Sequence, residues 1–184
     1  VYHSDKIFFA KDFDVSFSDI RLQLADNFHR LMTDTLILSS KGMAATVYNF
    51  RILPVKTINS VDSLMAKGQQ QIVDIHFPKI ELYNADLHEA FFQKKLLIKD
   101  FNVINPSINI DLLGQLKVEK TSEASFSAGL YPLLSDYLNS LKIEKLRMNN
   151  GQLNVTQHRK NQSPVELSNS FSVELTNFEI DSIP

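Results

Sequence analysis

The chain contains no cysteine, which excludes a disulfide framework and thiolate metal sites. Its five glycines are well separated, so neither a glycine-rich phosphate loop nor a Gly-x-Ser-x-Gly elbow can be built from them. No apolar run approaches the roughly 20 residues that a membrane-spanning helix needs, and no signal peptide is visible. An excess of charge is missing too. Nineteen basic residues against 21 acidic ones leave −2, whereas a general nucleic-acid binder shows basic excess or a dense basic stripe. The longest basic run, "HRK" at 158–160, reads as a solvated turn.

Catalytic and metal signals are equally thin. His3, His29, His76, His88 and His158 are scattered. Neither Asp74-x-His76 nor His88-Glu89 offers the three or four convergent ligands that a metal requires. Asp12 and Asp14 alternate with Phe13 and Val15, as on the wet face of a strand. Asn154-Val155-Thr156 and Asn161-Gln162-Ser163 match a glycosylation pattern short enough to arise by chance. The residues therefore predict no enzyme, no metal site and no cofactor.

What the chain does contain is alternation. At 184 residues, with 43% apolar and 22% charged, it suits one folded domain with a substantial core. Apolar residues recur every second position, and then the phase slips by one. The pattern apolar-x-apolar-x-x-apolar-x-apolar fits residues 15–22, 45–52, 75–82, 96–103, 141–148 and 173–180. Four of these have no apolar residue at any x, against about 0.6 expected from random placement. One extra residue reverses which face of a strand is apolar. A β-bulge would restore a common face and bend the strand. A tight turn is the alternative, but the central pairs lack the glycine that two-residue hairpins prefer. The bulge is therefore the expectation, and repeated bulges predict a curved sheet.

A second regularity overlies the first. "LLIKDFNVINPSINIDL" at 96–112 aligns without gaps on "LKIEKLRMNNGQLNVTQ" at 141–157. Leu96 meets Leu141, Asn105 meets Asn150, and Pro106 meets Gly151. "IELYNADLHEA" is a weaker copy with Asn84 at the asparagine position. Each unit thus reads as a kinked strand, a turn at Asn84, Asn105-Pro106 or Asn150-Gly151, and a returning strand. Asparagine suits such turns because it tolerates left-handed backbone. Helix is the minor component, predicted over 85–95 with Asp86 as cap, Glu89 three residues on and two terminal lysines. A second helix is predicted over 129–141. "KGQQQ" at 67–71 and "HRKNQSP" at 158–164 read as loops.

The phrase Leu96, Ile98, Phe101, Val103, Asn105, Pro106, Ile108, Ile110, followed by Leu141, Ile143, Leu146, Met148, Asn150, Gly151, Leu153, Val155, resembles the AsmA-like family of bacterial envelope proteins, relatives of TamB. The likeness is best over 75–155. It implies a periplasmic segment of a larger envelope protein whose anchor lies outside this chain. It also implies work in outer-membrane biogenesis by passing phospholipid or other acyl lipid along an apolar groove, alongside other envelope proteins. The expected fold is mainly β, a single module over 1–184. Its long, bulged, curved antiparallel sheet of repeated units forms a groove or half-barrel, with two short helices. Ile98, Phe101, Val103, Ile143, Leu146 and Met148 are the expected groove lining. The alternative is a structural or interaction β-sandwich of a large envelope protein, since packed sheets show the same alternation.

Overall fold

A computed structural model describes residues 12–24, 28–55, 71–113, 138–159 and 163–181. The strands are β1 (Asp14–Gln23), β2 (His29–Ser39), β3 (Ala44–Pro54), β4 (Gln71–Ala85), β5 (Lys95–Ile104), β6 (Ser107–Leu113), β7 (Ser140–His158) and β8 (Val165–Asp181). One helix, α1 (Leu87–Gln93), lies between β4 and β5. All eight strands form one sheet. Neighbours run β1-β2-β3-β4, then β5 and β6 end to end in one lane, then β7 and β8.

The mainly β character follows the alternation, but the sheet is mixed rather than antiparallel. β5 and β6 both run parallel to β7. The reason is the 45-residue repeat itself. Leu96 pairs with Leu141, Ile98 with Ile143, Phe101 with Leu146 and Val103 with Met148; Ile108 then pairs with Leu153 and Ile110 with Val155. The sequence alignment is the structural register, like beside like. A parallel pair needs a long crossover between its strands, and the spacing of the two copies leaves room for one.

The predicted returning strands are not there. β5 and β6 both pair antiparallel with β4, so the chain continues in one direction through Asn105 and Pro106. The Asn105 N–H donates to Asn149 O at 2.9 Å and the Gln152 N–H to Pro106 O at 2.8 Å, carrying the pairing across the gap. β7 passes unbroken through Asn150 and Gly151, and Asn84 lies inside β4. All three asparagines do adopt positive φ, 51°, 52° and 55° in chain order. They use the left-handed backbone without reversing the chain.

Gly151 serves a different purpose from the strand punctuation expected of it. It faces Phe171 on β8, and a Cβ there would lie 2.4 Å from Phe171 Cζ. The glycine makes room for the ring. Gly151→Ala is expected to lower stability by about 1–2 kcal/mol as the ring swings aside. The same change in a Phe171→Ala background should be nearly neutral, as read from urea denaturation midpoints.

Helix α1 forms where the 85–95 pattern places it. Asp86 is the N-cap, and its Oδ1 accepts the Glu89 N–H at 2.9 Å. Lys94 and Lys95 do not sit in the last turn, however. Lys94 is the C-cap at φ 56°, and Lys95 already opens β5. The second predicted helix lies outside the described residues over 129–137, and its final residues, Ser140 and Leu141, begin β7. Of the predicted loops, 67–70 and 160–162 lie outside the described residues, whereas Gln71 starts β4 and His158 ends β7.

Candidate functional site

The registers assemble the alternating residues into rows that cross the sheet. One row runs Val15, Leu38, Ala45, Leu82, Phe101, Leu146, Leu175, each hydrogen-bonded strand contributing one apolar residue. Two positions along lies a second: Phe17, Leu36, Val47, Ile80, Val103, Met148, Val173. Between them the row Ser16, Ile37, Thr46, Glu81, Asn102, Arg147, Glu174 is polar except at Ile37. Further apolar rows follow beyond each phase slip: Ala85, Ile98, Ile143, Phe178 on one side and Leu22, Leu31, Ile52, Ile75, Ile108, Leu153 on the other.

The six slips fall on two lines across the sheet. Through the first run Asp19, Asp34, Asn49, Pro78, Asn105 and Asn150, by the registers that flank them. Through the second run Asn84, Lys99, Glu144 and Asn177. Because every lane slips together, no register changes, and the expected two-against-one bulges are absent at these six places. The bulge prediction assumed a neighbour without the extra residue; here each neighbour has one. A register shift occurs between β7 and β8 alone among the described pairs, where Asn149 and Asn150 lie between Met148 and Gly151 but Ser172 stands alone between Phe171 and Val173.

Left-handed residues mark both lines. On the first they are Asp19, Asn49, Asn105 and Asn150; on the second, Asn84 and Asn177. Each stands immediately before the residue that restarts the alternation. On the first line they sit on β1, on β3, just after β5 and on β7, strands that all run one way. On the second they sit on β4 and β8, which run the other way. Asp100, at that line on β5, does not have positive φ, whereas Asn84 on the antiparallel neighbour β4 does. Asn49 also donates from Nδ2 to Asp34 Oδ2 at 2.7 Å, tying adjacent lanes together.

The outcome for packing is visible at the second line. Ile98 and Ile143 precede it on β5 and β7, and Leu146, Phe101 and Met148 follow it. All five belong to one apolar cluster with Ala85, Leu82, Leu96, Leu141 and Phe178. Unbroken alternation would have sent Ile143 and Leu146 to opposite faces. The slip keeps them together.

Of the six predicted lining residues, Ile98 (1% exposed), Val103 (0%), Ile143 (2%) and Leu146 (8%) are buried. Phe101 and Met148 are half-buried against the same cluster. The exposed apolar residues of these rows are at their ends, Phe17 and Leu22 on β1, and Val173 and Leu175 on β8. Sequence reading did not single these out. The available signal was the composition of β8, which alternates apolar residues at 171, 173 and 175 and contains no lysine, arginine or proline.

The intervening polar row is ionic. Arg147 donates from Nη1 to Asn102 Oδ1 at 3.1 Å, and it pairs with Asp100 at 3.1 Å and Glu174 at 3.4 Å. Lys145 reaches Glu174 at 3.1 Å and Lys142 reaches Glu179 at 3.5 Å. Such exposed pairs contribute little stability individually. Lys79 pairs with Glu81 and lies over the Tyr48 ring. The Glu81 hydrogen bond holds the Lys79 ammonium above the usual lysine range, with desolvation opposing it. The Tyr83 phenol is pushed up, first by desolvation and then by the Glu81 carboxylate.

The histidines have structural partners. His29 is buried, and its Nε2 accepts the Val73 N–H at 3.0 Å. His76 meets Asn49 Oδ1 at 3.3 Å, and His158 meets Asp111 Oδ1 at 2.8 Å. His88 packs on Phe92 within α1, and His3 lies outside the described residues. Among the described residues no three His, Cys, Asp or Glu side chains gather to hold a metal ion. No helix among them is long and apolar enough to cross a membrane.

Among the described residues these features define a single mixed β-sheet whose strands carry apolar rows on either side of an ionic one. No family model matches the chain, and no curated protein or solved structure matches it.

Proposed function

We propose that the chain is a non-catalytic, lipid-handling module of an AsmA-like envelope protein, working in the periplasm in outer-membrane biogenesis. One observation carries this reading: apolar rows continue across seven lanes of a single sheet, kept together by phase slips on common lines. A sheet curved along those lines makes an apolar trough. Ile98, Val103, Ile143 and Leu146 are its floor, and Phe101, Met148, Leu82, Leu96, Leu141 and Phe178 its surface. Acyl chains lie across the rows and headgroups stay in water. Each buried methylene contributes about 0.8 kcal/mol, so no directional contact and no chemistry are needed.

The test is uptake of a fluorescent fatty acid by delipidated protein. Saturable binding is expected, weakened at least 10-fold by Met148→Glu while the circular dichroism spectrum is unchanged. Folded wild-type protein that takes up none would defeat the lipid reading. A structural or interaction module is the second reading. It is favoured by the burial of four of the six lining residues at 8% exposure or less, as in a packed core.

A further inference from the structure

The described asparagines divide into two groups. Asn49, Asn102, Asn109, Asn139 and Asn154 are held by side-chain hydrogen bonds. Asn84, Asn105, Asn149, Asn150, Asn169 and Asn177 have none among the described residues. A free carboxamide is open to attack at Cγ by the backbone nitrogen of the following residue, and the attack needs both an N–H and room to approach. Pro106 has no N–H, so Asn105 is inert by this route. Ala85, Asn150, Ser170 and Phe178 each set a side chain in the way of the attack on the residue before them. Gly151, after Asn150, alone has neither bar. The two copies of the repeat thus hold a reactive and an unreactive version of one position, since Asn150 aligns with Asn105 and their φ angles are 55° and 52°.

The surroundings favour the same residue. Asn150 is exposed and stands at the register shift between β7 and β8. Its N–H donates to a side chain, Ser172 Oγ at 3.3 Å, where a regular ladder would use a backbone carbonyl. The ladder is interrupted here, as at any bulge. One obstacle stands beside it. The Phe171 ring occupies the space next to Gly151, 2.4 Å from where a Cβ would be, so the peptide between Asn150 and Gly151 turns only when β8 opens locally.

We propose that Asn150-Gly151 is a site of spontaneous covalent modification: deamidation through a cyclic imide, with water as the only co-reactant. The Gly151 nitrogen gives its proton to solvent base and bonds to Asn150 Cγ. The Cγ–Nδ2 bond breaks, and that nitrogen takes up a proton and leaves as ammonia. Water then adds to either imide carbonyl and opens the ring. The product is aspartate or, with the backbone rerouted through Cγ, isoaspartate; nothing is oxidised or reduced. Isoaspartate adds one methylene to the β7 backbone just before Gly151. The pairs beyond it, Gly151 with Phe171 and Leu153 with Asn169, then lose their register, and the first half of β8 is released. This inference is independent of lipid binding, since it rests on backbone chemistry at the β7–β8 shift.

Peptide mapping by mass spectrometry tests it, on the full chain incubated in mildly alkaline buffer. A gain of one mass unit is expected at Asn150, placed there by fragmentation, with isoaspartate as the main product and no gain at Asn105. Asn150→Gly should abolish the gain. Phe171→Ala should convert about 5-fold faster, because removing the ring eases local opening, and Ser172→Ala should also be faster. Circular dichroism establishes that each variant is folded. The inference is overturned if native protein does not convert at Asn150 while the same protein unfolded in guanidinium chloride does. It is equally overturned if Asn105 or Asn169 converts as fast, or if the folded Phe171→Ala and Ser172→Ala variants both convert no faster than wild type.

Discussion

Replacing Ile143 by alanine is expected to destabilise the protein by about 2–4 kcal/mol, with Ile98→Ala costing a similar amount. Both side chains are almost fully buried, at 2% and 1% exposure. They are also direct neighbours across the parallel β5–β7 pair, in the same cluster as Ala85 and Leu146. Removing either leaves a void that stiff strands on both sides cannot close. Because the two share their surroundings, the double variant should lose less than the sum of the single losses. Urea denaturation of the four species gives the coupling directly. A loss below about 0.5 kcal/mol at either position would show that the cluster is not where the stability resides.

The second large effect is expected at the left-handed residues. Asn105→Val should lower stability by about 1–2 kcal/mol, because its φ of 52° brings a β-branched Cβ against the backbone. Asn105→Gly has no such penalty and should fall within a few tenths of wild type, the unfolded chain's added freedom offsetting the relief of strain. Asn150→Val should resemble Asn105→Val, with a further loss because Asn150 also sits at the register shift against β8. Equal stabilities of the valine and glycine variants, measured by the same denaturation, would remove the conformational role assigned to these asparagines.

The two effects together show how far residue patterns alone reach. Alternation predicts strands, and strands are present from Asp14 to Asp181. The gap-free match of 96–112 on 141–157 contains the true pairing register, because stacking like on like satisfies both copies at once. The Asp86–Glu89 spacing predicts where α1 begins, since the cap is a contact within one turn. These are local or translational regularities, and they survive being read along a line.

The slips are different. Sequence shows six segments that change phase, and it predicts a bulge as the remedy, with a turn as the alternative. Neither is used at those positions. Asn105-Pro106 and Asn150-Gly151 have the composition of turns, yet the chain runs straight on through both. Whether an extra residue distorts a strand depends on its neighbours, and neighbours are absent from a one-dimensional pattern. Likewise nothing local distinguishes Asp19, which adopts the left-handed state, from Asp100, which does not.

From the residues themselves follow the strands, their alternating chemistry, the start of the helix and the offset between the repeated segments, since each rests on backbone stereochemistry or on identical neighbours. Only the assembled sheet decided that the phase changes fall on shared lines and which central side chains are sealed. Those outcomes depend on hydrogen bonds between strands far apart in the chain, and their registers are settled jointly rather than one strand at a time.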